Sequence, residues 1–309
     1  MKRILISGIG GDIAQGVATI LREARPEIKL LGVDVHDQHG GHLFVDHFLL
    51  IPNASSSNYL SALKKIVKEY KIDVVIPMTE PELNAALPLL ELELDIKWIT
   101  SGASVLKAGL DKFKTMQALI EIGIPIPWTM LVSDGYPISY PCILKNRFGS
   151  GSRAVFVVKN SVDADYLVKR YPDSIFQELL EPDNREVTCA VYRRKDGEVS
   201  TLLMLRRLTG GFTGWAKVIK HDAATEMCEK IAKGLDLQGS MNVQMRLTEK
   251  GPRVFEINPR FSSTVLMRHR LGFSDVLWSI DEAEGKPINF PEIPKDQMMA
   301  RVQNATIYS

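Results

Sequence analysis

The amino-terminal part of the chain alternates short apolar runs with amphipathic segments, and this alternation restricts the fold more than any other feature. The runs RILISGI, KLLGVDV and DVVIPM are typical of buried strands, and helices are expected between them at 12–25 and 59–70. Strands that are separated by helices form a parallel sheet with right-handed crossovers. The sequence therefore predicts an α/β domain with a parallel sheet, which we place at residues 1–105.

The pattern changes near Ser101, where regular alternation gives way to short strands, turns and hairpins. A helix is predicted at 111–122, and the proline-stiffened connector IPIPW leads from it into the strands YPCILKN and AVFVVKN. The segment EVTCAVYRRKDGEVSTLLML is typical of a hairpin with its turn at Asp196–Gly197. We therefore expect a second domain of antiparallel α+β type at 106–309, with a small lid at about 126–176 and a C-terminal lobe at about 177–309.

Composition argues against several classes of protein. A net charge of +1 provides no overall field that would attract nucleic acid or a membrane surface. The three cysteines are far apart and show neither a disulfide framework nor a metal-binding spacing, which favours a reducing compartment. No apolar run approaches the roughly 20 residues of a transmembrane helix, and MKRILISGIGG is a poor signal peptide. We therefore expect a cytoplasmic protein without nucleic-acid or membrane partners, and we allow for a homodimer.

The strongest functional pattern lies in RVFEINPRFSST, near the carboxyl end of the sequence. Glu256, Asn258 and Arg260 occupy every second position, so their side chains are expected on one face of a strand. Phe255 and Ile257 are expected on the opposite face, in the core. The alternative is an amphipathic strand whose polar face simply meets solvent.

The preceding strand, SMNVQMRL, adds polar side chains to the same face. The short turn TEKG predicts an antiparallel hairpin between the two strands. If this turn centres on its lysine, Gln244 lies opposite Glu256, and Asn242 lies opposite Asn258. A carboxylate flanked by amide oxygens suits a divalent cation such as Mg²⁺, and Arg260 adds a positive charge for a phosphate. The hairpin therefore predicts a site for a metal ion and a phosphate.

A second candidate element is CILKNRFGSGSRAVFVV, a strand, a loop rich in glycine and serine, and another strand. Strand alternation places Lys145 on the face opposite Cys142 and Leu144. Gly149 and Gly151 allow the backbone to approach an anion closely, and consecutive N–H groups of such a loop can bind phosphate. The alternative is a plain hairpin loop. A Walker A motif is excluded, because GxxxxGK[ST] before a helix is missing.

Together these residues resemble the ATP-grasp superfamily, most closely the ATP-grasp halves of the carbamoyl phosphate synthetase large subunit and their single-module relatives. MNVQ followed by FEINPR is the most specific signature. The resemblance implies an ATP-grasp fold with a Rossmann-like pre-ATP-grasp domain, a lid and an antiparallel α+β lobe. It also implies that Gln244, Glu256 and Asn258 bind Mg²⁺ or Mn²⁺, with two ions expected, and that Arg260 contacts phosphate. Many members have an acid where this chain has Gln244, although the carbamoyl phosphate synthetase type has glutamine.

The same resemblance implies an ATP site built from several short motifs. Lysines in LDK and ILKN would hold phosphates, FGSGSR would be the mobile flap, QELL would face adenine, and the acid of NREV would bind ribose. The residues implied are Lys112, Lys145, Gly149, Ser150, Gly151, Ser152, Glu178, Leu179, Leu180 and Glu186. Lys145 and Arg260 would be catalytic. The implied activity is that of an ATP-dependent ligase, which activates a small-molecule carboxylate as an acyl phosphate for attack by an amine.

Two further segments are candidates for substrate binding, and their residues are Glu80, Arg206, Arg207 and Lys217. Thr79 and Glu82 are typical of a capping box that opens a helix, which does not account for Glu80 between them. Glu80 follows a strand of the parallel sheet, where such sheets bind ligands. The basic residues lie in LRRLTGGFTGWAKV and are candidates for recognising a carboxylate, with a charged, flexible hairpin as the alternative.

The sequence leaves three alternatives to this interpretation: an oxidoreductase, a zinc-binding protein and a regulatory module. GIGGDIAQG followed by Asp34 is similar to a dinucleotide-binding turn and would indicate an NAD(P)-dependent oxidoreductase, but Ile13 replaces the third glycine of GxGxxG. The loop HDQHGGHLFVDH contains His36, His39, His42 and His47, a possible zinc site without cysteines. A regulatory module could also retain ATP binding without catalysis, although the complete metal-binding set argues against it.

Overall fold

Three β-sheets form the framework of the chain within residues 2–90, 96–149, 154–302 and 306, which the computed structural model describes. One sheet is parallel and belongs to the amino-terminal part, and the other two are antiparallel. This combination confirms the expected α/β and α+β classes. The domain boundaries at 105/106 and 176/177 stay predictions.

The amino-terminal sheet has five strands in the order β3-β2-β1-β4-β5, and all its pairs are parallel. Its elements are, in chain order, β1 (Arg3–Ser7), α1 (Asp12–Ala24), β2 (Lys29–Asp34), β3 (His47–Leu50), α2 (Tyr59–Glu69), β4 (Val74–Ile76), α3 (Glu80–Leu90), β5 (Lys97–Trp98) and α4 (Ala103–Gly109). Helix α1 packs on one face through residues such as Val17 and Leu21, and α2 packs on the other through residues such as Leu63. Both faces of the parallel sheet are therefore buried.

The start of α3 follows the predicted capping box. The Glu82 carboxylate accepts hydrogen bonds from Thr79 Oγ1 at 2.7 Å and from Ser7 Oγ at 2.6 Å. The Glu82 N–H donates in return to Thr79 Oγ1 at 3.4 Å. Thr79 and Glu82 are hydrogen-bonded to each other, and Glu82 is also hydrogen-bonded to Ser7 at the end of β1. These bonds fix the intervening Glu80 at the carboxyl edge of the sheet.

The lid sheet has four antiparallel strands in the order β6-β9-β7-β8. The elements of this region are α5 (Lys112–Glu121), β6 (Thr129–Leu131), β7 (Cys142–Asn146), β8 (Val155–Val158), α6 (Ser161–Arg170) and β9 (Ser174–Glu178). Cys142, Leu144 and Phe176 bury one face of the sheet against Leu167 of α6. Lys145 alternates with Leu144 on β7 and therefore points to the other face, as predicted.

The C-terminal sheet has six antiparallel strands in the order β14-β13-β10-β11-β12-β15. Its elements are β10 (Glu186–Arg193), β11 (Val199–Thr209), β12 (Phe212–Val218), α7 (Asp222–Gly234), β13 (Gly239–Thr248), β14 (Gly251–Asn258), α8 (Val265–Arg270), α9 (Asp275–Ala283) and β15 (Met298–Ala300). Helices α5 and α7 cover one face, where Met116, Ile231 and Val243 share a core. Helix α8 instead packs against α1, which joins this lobe to the amino-terminal domain.

The β13–β14 hairpin has the predicted register at its functional end. Gln244 pairs with Glu256, and Asn242 pairs with Asn258. A β-bulge follows, because Met245 pairs with Val254 and leaves Phe255 without an opposite residue. The expectation that Phe255 packs in the core is therefore wrong. The extra residue of the bulge places the side chain of Val254, not that of Phe255, on the core side of β14, so Val254 is buried and Phe255 is only half-buried.

Candidate active site

The side chains of Lys112 and Glu256 meet, although one begins α5 and the other lies on β14. Lys112 Nζ lies 3.7 Å from Glu256 Oε1 and also donates a hydrogen bond to the carbonyl oxygen of Gly149. The structure thus brings together a lysine predicted to hold phosphate, a carboxylate predicted to bind metal and the first glycine of the predicted flap.

Lys112 is positioned by its neighbour Asp111, a residue that the sequence interpretation did not include in the site. The Asp111 carboxylate caps α5 by accepting a hydrogen bond from the Phe113 N–H at 3.0 Å. It also accepts two hydrogen bonds from Arg147, at 2.9 Å from Nε and 2.7 Å from Nη2. Burial by itself raises the pKa of Asp111, but the hydrogen bonds from Arg147 and the helix N–H groups outweigh burial, and the pKa is lowered. The capping pattern in LDK was the available signal for Asp111.

Lys145 belongs to β7, and its buried side chain points toward the bulge of β14. Its Nζ donates a hydrogen bond to the Phe255 carbonyl oxygen at 3.1 Å and lies 5.6 Å from the centre of the Phe255 ring. Burial is the main cause that lowers the pKa of Lys145, Lys112 adds to the effect, and Glu256 and Glu186 oppose it; the resulting pKa is about 8. Because this pKa remains above 7, Lys145 is mainly protonated at neutral pH and presents a poorly solvated charge.

Glu80 and Arg260 join this cluster from opposite sides of the junction between the amino-terminal domain and the C-terminal lobe. Burial raises the pKa of Glu80, although Lys112, Arg260 and the Gly149 N–H lower it. Burial lowers the pKa of Arg260, and Glu80 and Glu256 oppose that change. Arg260 Nη1 donates to the Phe261 carbonyl oxygen at 2.9 Å, whereas its buried Nε has no hydrogen-bond partner in the described part of the chain. An anion approaching Arg260 would therefore find a free donor.

The predicted nucleoside-binding segment is held by hydrogen bonds at several points. The Glu178 carboxylate accepts a hydrogen bond from the Trp128 N–H at 3.2 Å. The Leu180 carbonyl oxygen accepts one from Arg246 Nη1 at 3.2 Å, and the same guanidinium donates to Glu186 Oε2 from Nη2 at 2.8 Å. Leu179, between Glu178 and Leu180, is half-buried. The hinge and the predicted ribose acid are thus linked by one side chain.

The three basic candidates for substrate recognition are not brought together. Arg206 is buried and donates to Glu186 Oε1 from Nε at 2.8 Å, so it contacts the predicted ribose acid. Arg207 donates from Nη1 to the Asn184 carbonyl oxygen at 2.9 Å, and Lys217 forms an ion pair with Asp296 at 2.9 Å. Strand β11 turns Arg206 and Arg207 to opposite faces, which separates their charges.

Within the predicted flap FGSGSR, the structure describes Phe148 and Gly149. Gly149 has a φ of +87°, in the region that favours glycine, and a Cβ atom added there would meet no atom within 4 Å. Ser150, Gly151 and Ser152 lie outside the described residues.

The amino-terminal glycine turn is filled by a side chain of the chain itself. A Cβ atom at Gly10 would come within 2.3 Å of the His39 ring, and the Gly10 N–H donates to Asp34 Oδ2 at 2.8 Å. His39 Nδ1 accepts a hydrogen bond from the Gly41 N–H at 3.0 Å, so the histidine closes the turn. This packing argues against a dinucleotide at this position.

The histidine-rich loop does not form the zinc site that was considered as an alternative. Within the described ranges, no group of three or more His, Cys, Asp or Glu side chains is placed to hold a metal ion. The β13–β14 hairpin instead combines one carboxylate with amide side chains. No helix among the residues described is both long and apolar enough to cross a membrane.

Two family models match the chain. The model described as "ATP-grasp in the biosynthetic pathway with Ter operon" matches residues 171–307. The model of the PylC-like N-terminal domain matches residues 4–94. The first match spans β9 and the C-terminal sheet, and the second spans β1 to α3 of the amino-terminal part.

Individual proteins agree with these matches. The carbamoyl-phosphate synthase of Methanobrevibacter smithii is 20% identical over 293 residues, which is 88% of this chain and 76% of the relative. The D-alanine–D-alanine ligase of Mycobacterium avium is 26% identical over 239 residues, which is 65% of this chain and 64% of that ligase, slightly less than two thirds. The structure of N5-carboxyaminoimidazole synthetase from Staphylococcus aureus, complexed with ADP, has the same fold: its TM-score is 0.81 at 19% identity, covering 97% of this chain and 82% of that one.

Proposed function

The chain belongs to the ATP-grasp superfamily, with a PylC-like amino-terminal domain, and we propose that it is an ATP-dependent carboxylate–amine ligase. The observation that carries the proposal is the contact of Lys112 Nζ with Glu256 Oε1 at 3.7 Å. This contact brings together a cation suited to phosphate and a carboxylate suited to metal, and Glu256 also interacts with Lys145 and Arg260. Such clusters stabilise transferring phosphoryl groups by positioning and charge neutralisation.

In this proposal the nucleotide lies between the lid and the C-terminal lobe. Lys145 and Lys112 hold its phosphates, and Gly149 of the predicted flap lies beside Lys112. The hinge from Glu178 to Leu180 faces adenine, and Glu186 accepts hydrogen bonds from the ribose hydroxyls. The low exposure of Lys145, at 7%, supports its role, because a poorly solvated ammonium interacts strongly with an incoming anion.

The donor set on the hairpin fits Mg²⁺ or Mn²⁺. Gln244, Glu256 and Asn258 offer one carboxylate and two amide oxygens, which are hard ligands that leave room for water and phosphate oxygens. The ammonium of Lys112 lies against Glu256, and so this carboxylate already attracts a cation. Two such ions, bound with ATP, would neutralise phosphate charge.

The proposed reaction has two steps. An oxygen of the substrate carboxylate attacks the γ-phosphorus of ATP, the bond to the ADP oxygen breaks, and an acyl phosphate forms. The nitrogen lone pair of an amine then attacks the acyl carbon, the carbon–oxygen bond to phosphate breaks, and the nitrogen loses a proton. Amide, ADP and inorganic phosphate are the products. Lys145 and Arg260 lie where they can stabilise the negative charge that is transferred.

Glu80 is the residue we assign to the amine. It is a carboxyl group of the amino-terminal domain that interacts with Arg260, Lys112 and Glu256, and it belongs to neither the hinge nor the metal-binding hairpin. An ammonium or amine group bound to Glu80 would lie beside the reacting carboxylate. Arg206, Arg207 and Lys217 are spread over separate contacts, so Arg260 is the better candidate for the acid substrate. A cytoplasmic location and a homodimer belong to the same proposal.

The nucleotide assignment predicts that Mg-ATP stabilises the protein against heat. A ligand present at 100 times its dissociation constant adds about 2.7 kcal/mol to the free energy of unfolding. We expect a clear rise in the melting temperature with Mg-ATP and no rise with NADH, measured by differential scanning fluorimetry. A response to NADH alone would contradict the proposal. A regulatory module would respond to Mg-ATP but release no ADP with pools of carboxylates and amines.

Replacing Glu80 with glutamine is expected to raise the KM for the amine about tenfold, because a hydrogen bond to a charged group contributes about 1.5–3 kcal/mol. The KM for ATP should remain nearly constant. The measurement is ADP release with the acid and amine identified from the pools. Glu69→Gln is the matched control, an exposed acid at the end of α2. Equal amine KM values for both variants would remove Glu80 from the substrate site.

A further inference from the structure

The guanidinium of Arg246 on β13 connects two parts of the proposed nucleoside pocket. Its Nη2 donates to Glu186 Oε2 at 2.8 Å, and its Nη1 donates to the Leu180 carbonyl oxygen at 3.2 Å. Glu186 begins β10, whereas Leu180 lies in the hinge after β9. One side chain therefore fixes the separation between the acid proposed for ribose and the backbone proposed for adenine.

Glu186 is held on its other side by Arg206. Both Nε and Nη2 of Arg206 contact Glu186 Oε1, at 2.8 and 2.6 Å. A carboxylate has about four lone-pair positions, and Arg206 uses two on Oε1 while Arg246 uses one on Oε2. Oε2 therefore retains an acceptor position for a hydroxyl group. The two arginines orient Glu186 and leave part of one oxygen available.

Little of this cluster meets solvent. The side chains of Arg206, Arg246 and Glu186 are 8%, 14% and 17% exposed. A buried arginine that bridges a carboxylate and a carbonyl loses mobility together with its partners. The planar fork of arginine reaches both acceptors at once, whereas a lysine ammonium is a single point charge on a flexible stem. The arrangement thus depends on an arginine at position 246.

We propose that Arg246 is a positioning residue for the nucleoside part of ATP, acting through Glu186 and the Leu180 carbonyl. The inference rests on the proposed function, because it takes these two groups as the ribose and adenine contacts. Holding both groups in place before binding reduces the ordering cost of nucleotide binding. Affinity for the adenosine part should therefore depend on Arg246, whereas affinity for the phosphates should not.

The hairpin supplies a matched control at the position directly opposite. Arg253 pairs with Arg246 across β13 and β14, but its Nη1 donates to the Ile126 carbonyl oxygen at 2.8 Å. Arg253→Met therefore removes the same charge and a similar hydrogen bond from the same hairpin. It leaves the contacts of Glu186 and Leu180 unchanged.

The test measures binding of ADP and of inorganic triphosphate by calorimetry, with folding confirmed by thermal melting. We expect Arg246→Met to weaken ADP binding about tenfold, because the hydrogen bonds that hold Glu186 and the Leu180 carbonyl in place are both lost, while Arg253→Met changes it less than about twofold. Arg246→Lys should resemble Arg246→Met, and it is the second variant if methionine prevents folding. Triphosphate binding should be unchanged throughout, and the KM for ATP should rise without a change in kcat.

The outcomes separate this inference from the proposed function. Equal ADP affinities in the Arg246 and Arg253 variants would overturn the inference, as would a parallel loss of ADP and triphosphate binding, which indicates a general distortion. In the double variant with Glu186→Gln, the loss should be smaller than the product of the two single losses, because both changes affect the same contact. If the two losses of ADP affinity multiply independently, Arg246 does not act through Glu186. Wild-type protein that binds no ADP would overturn the proposed function as well.

Discussion

Replacing Glu256 with glutamine is expected to lower ADP formation by about two orders of magnitude or more. The change removes one charge from the proposed metal site and leaves the shape of the side chain nearly unchanged. Losing one preorganised electrostatic contact in a transition state costs about 2.7–4 kcal/mol, which corresponds to at least about a hundredfold in rate. The Mg²⁺ concentration needed for half-maximal activity should also rise, because an amide binds the ion more weakly than a carboxylate.

The same substitution should affect stability much less than activity. Glu256 is attracted by Lys112, Lys145 and Arg260, but its charge also raises the pKa of Glu80. Loss of attraction is therefore partly offset by loss of repulsion, and we expect a change below about 1 kcal/mol in the free energy of unfolding.

Glu249→Gln, an exposed acid in the turn of the same hairpin, is the control for Glu256→Gln. It should retain wild-type turnover and Mg²⁺ dependence. Purified Glu256→Gln protein with both properties unchanged would show that β14 is only an amphipathic surface strand.

Replacing Arg268 with methionine is expected to destabilise the protein by about 3–5 kcal/mol, the usual cost of leaving one charge of a buried ion pair without its partner. Arg268 is fully buried, and its Nε and Nη2 donate to Asp275 Oδ1 and Oδ2 at 2.9 and 2.5 Å. Its Nη1 donates to Ser262 Oγ at 2.8 Å, and Asp275 also accepts from Ser240 Oγ at 2.5 Å. The network ties the segment after Arg260 to β13 and α9.

Urea denaturation would measure this effect, with Arg270→Met as the matched control. Arg270 is on the same helix and pairs with Glu23 at 2.7 Å, but the two side chains are 58% and 43% exposed. Exposed pairs contribute about 0–1 kcal/mol, so the control should be nearly neutral. Adding Asp275→Leu to Arg268→Met should recover part of the loss, because the unpaired charge is removed. Similar small effects of both arginine substitutions would contradict the role of the buried network.

Elements with strong local signals were predictable from the sequence. The helix expected at 111–122 is α5, Lys112–Glu121, with Asp111 as its cap, and the helix expected at 12–25 is α1, Asp12–Ala24. The sequence did not predict β3, β5, β6, β15, α4, α8 or α9. Several of these are short: β5 has two residues and β15 has three, too few for a period to be detected. Such strands form because a neighbouring strand offers hydrogen bonds.

Some features of the candidate site were also predictable from the sequence, and others were not. The predicted pairing of Gln244 with Glu256 is confirmed, but the turn does not centre on Lys250, because Thr248 pairs with Gly251. The bulge adds one residue to β14 and so brings Glu256 opposite Gln244. The bulge at Phe255 was not predictable, since it depends on how β14 meets Lys145 and the lid. The contacts of Arg206 and Arg246 with Glu186 were not predictable either.

The sequence by itself determined the type of the elements with strong local signals and the polar face shared by Gln244, Glu256 and Asn258, because these follow from the local order of side chains. Only the tertiary structure decided which distant groups meet: Lys112 with Glu256, Arg206 with Glu186, and Glu80 with Arg260. Long charged side chains can reach several partners from one backbone position. Burial and the geometry of the packed sheets select the partner, and neither is encoded in the spacing of residues along the chain.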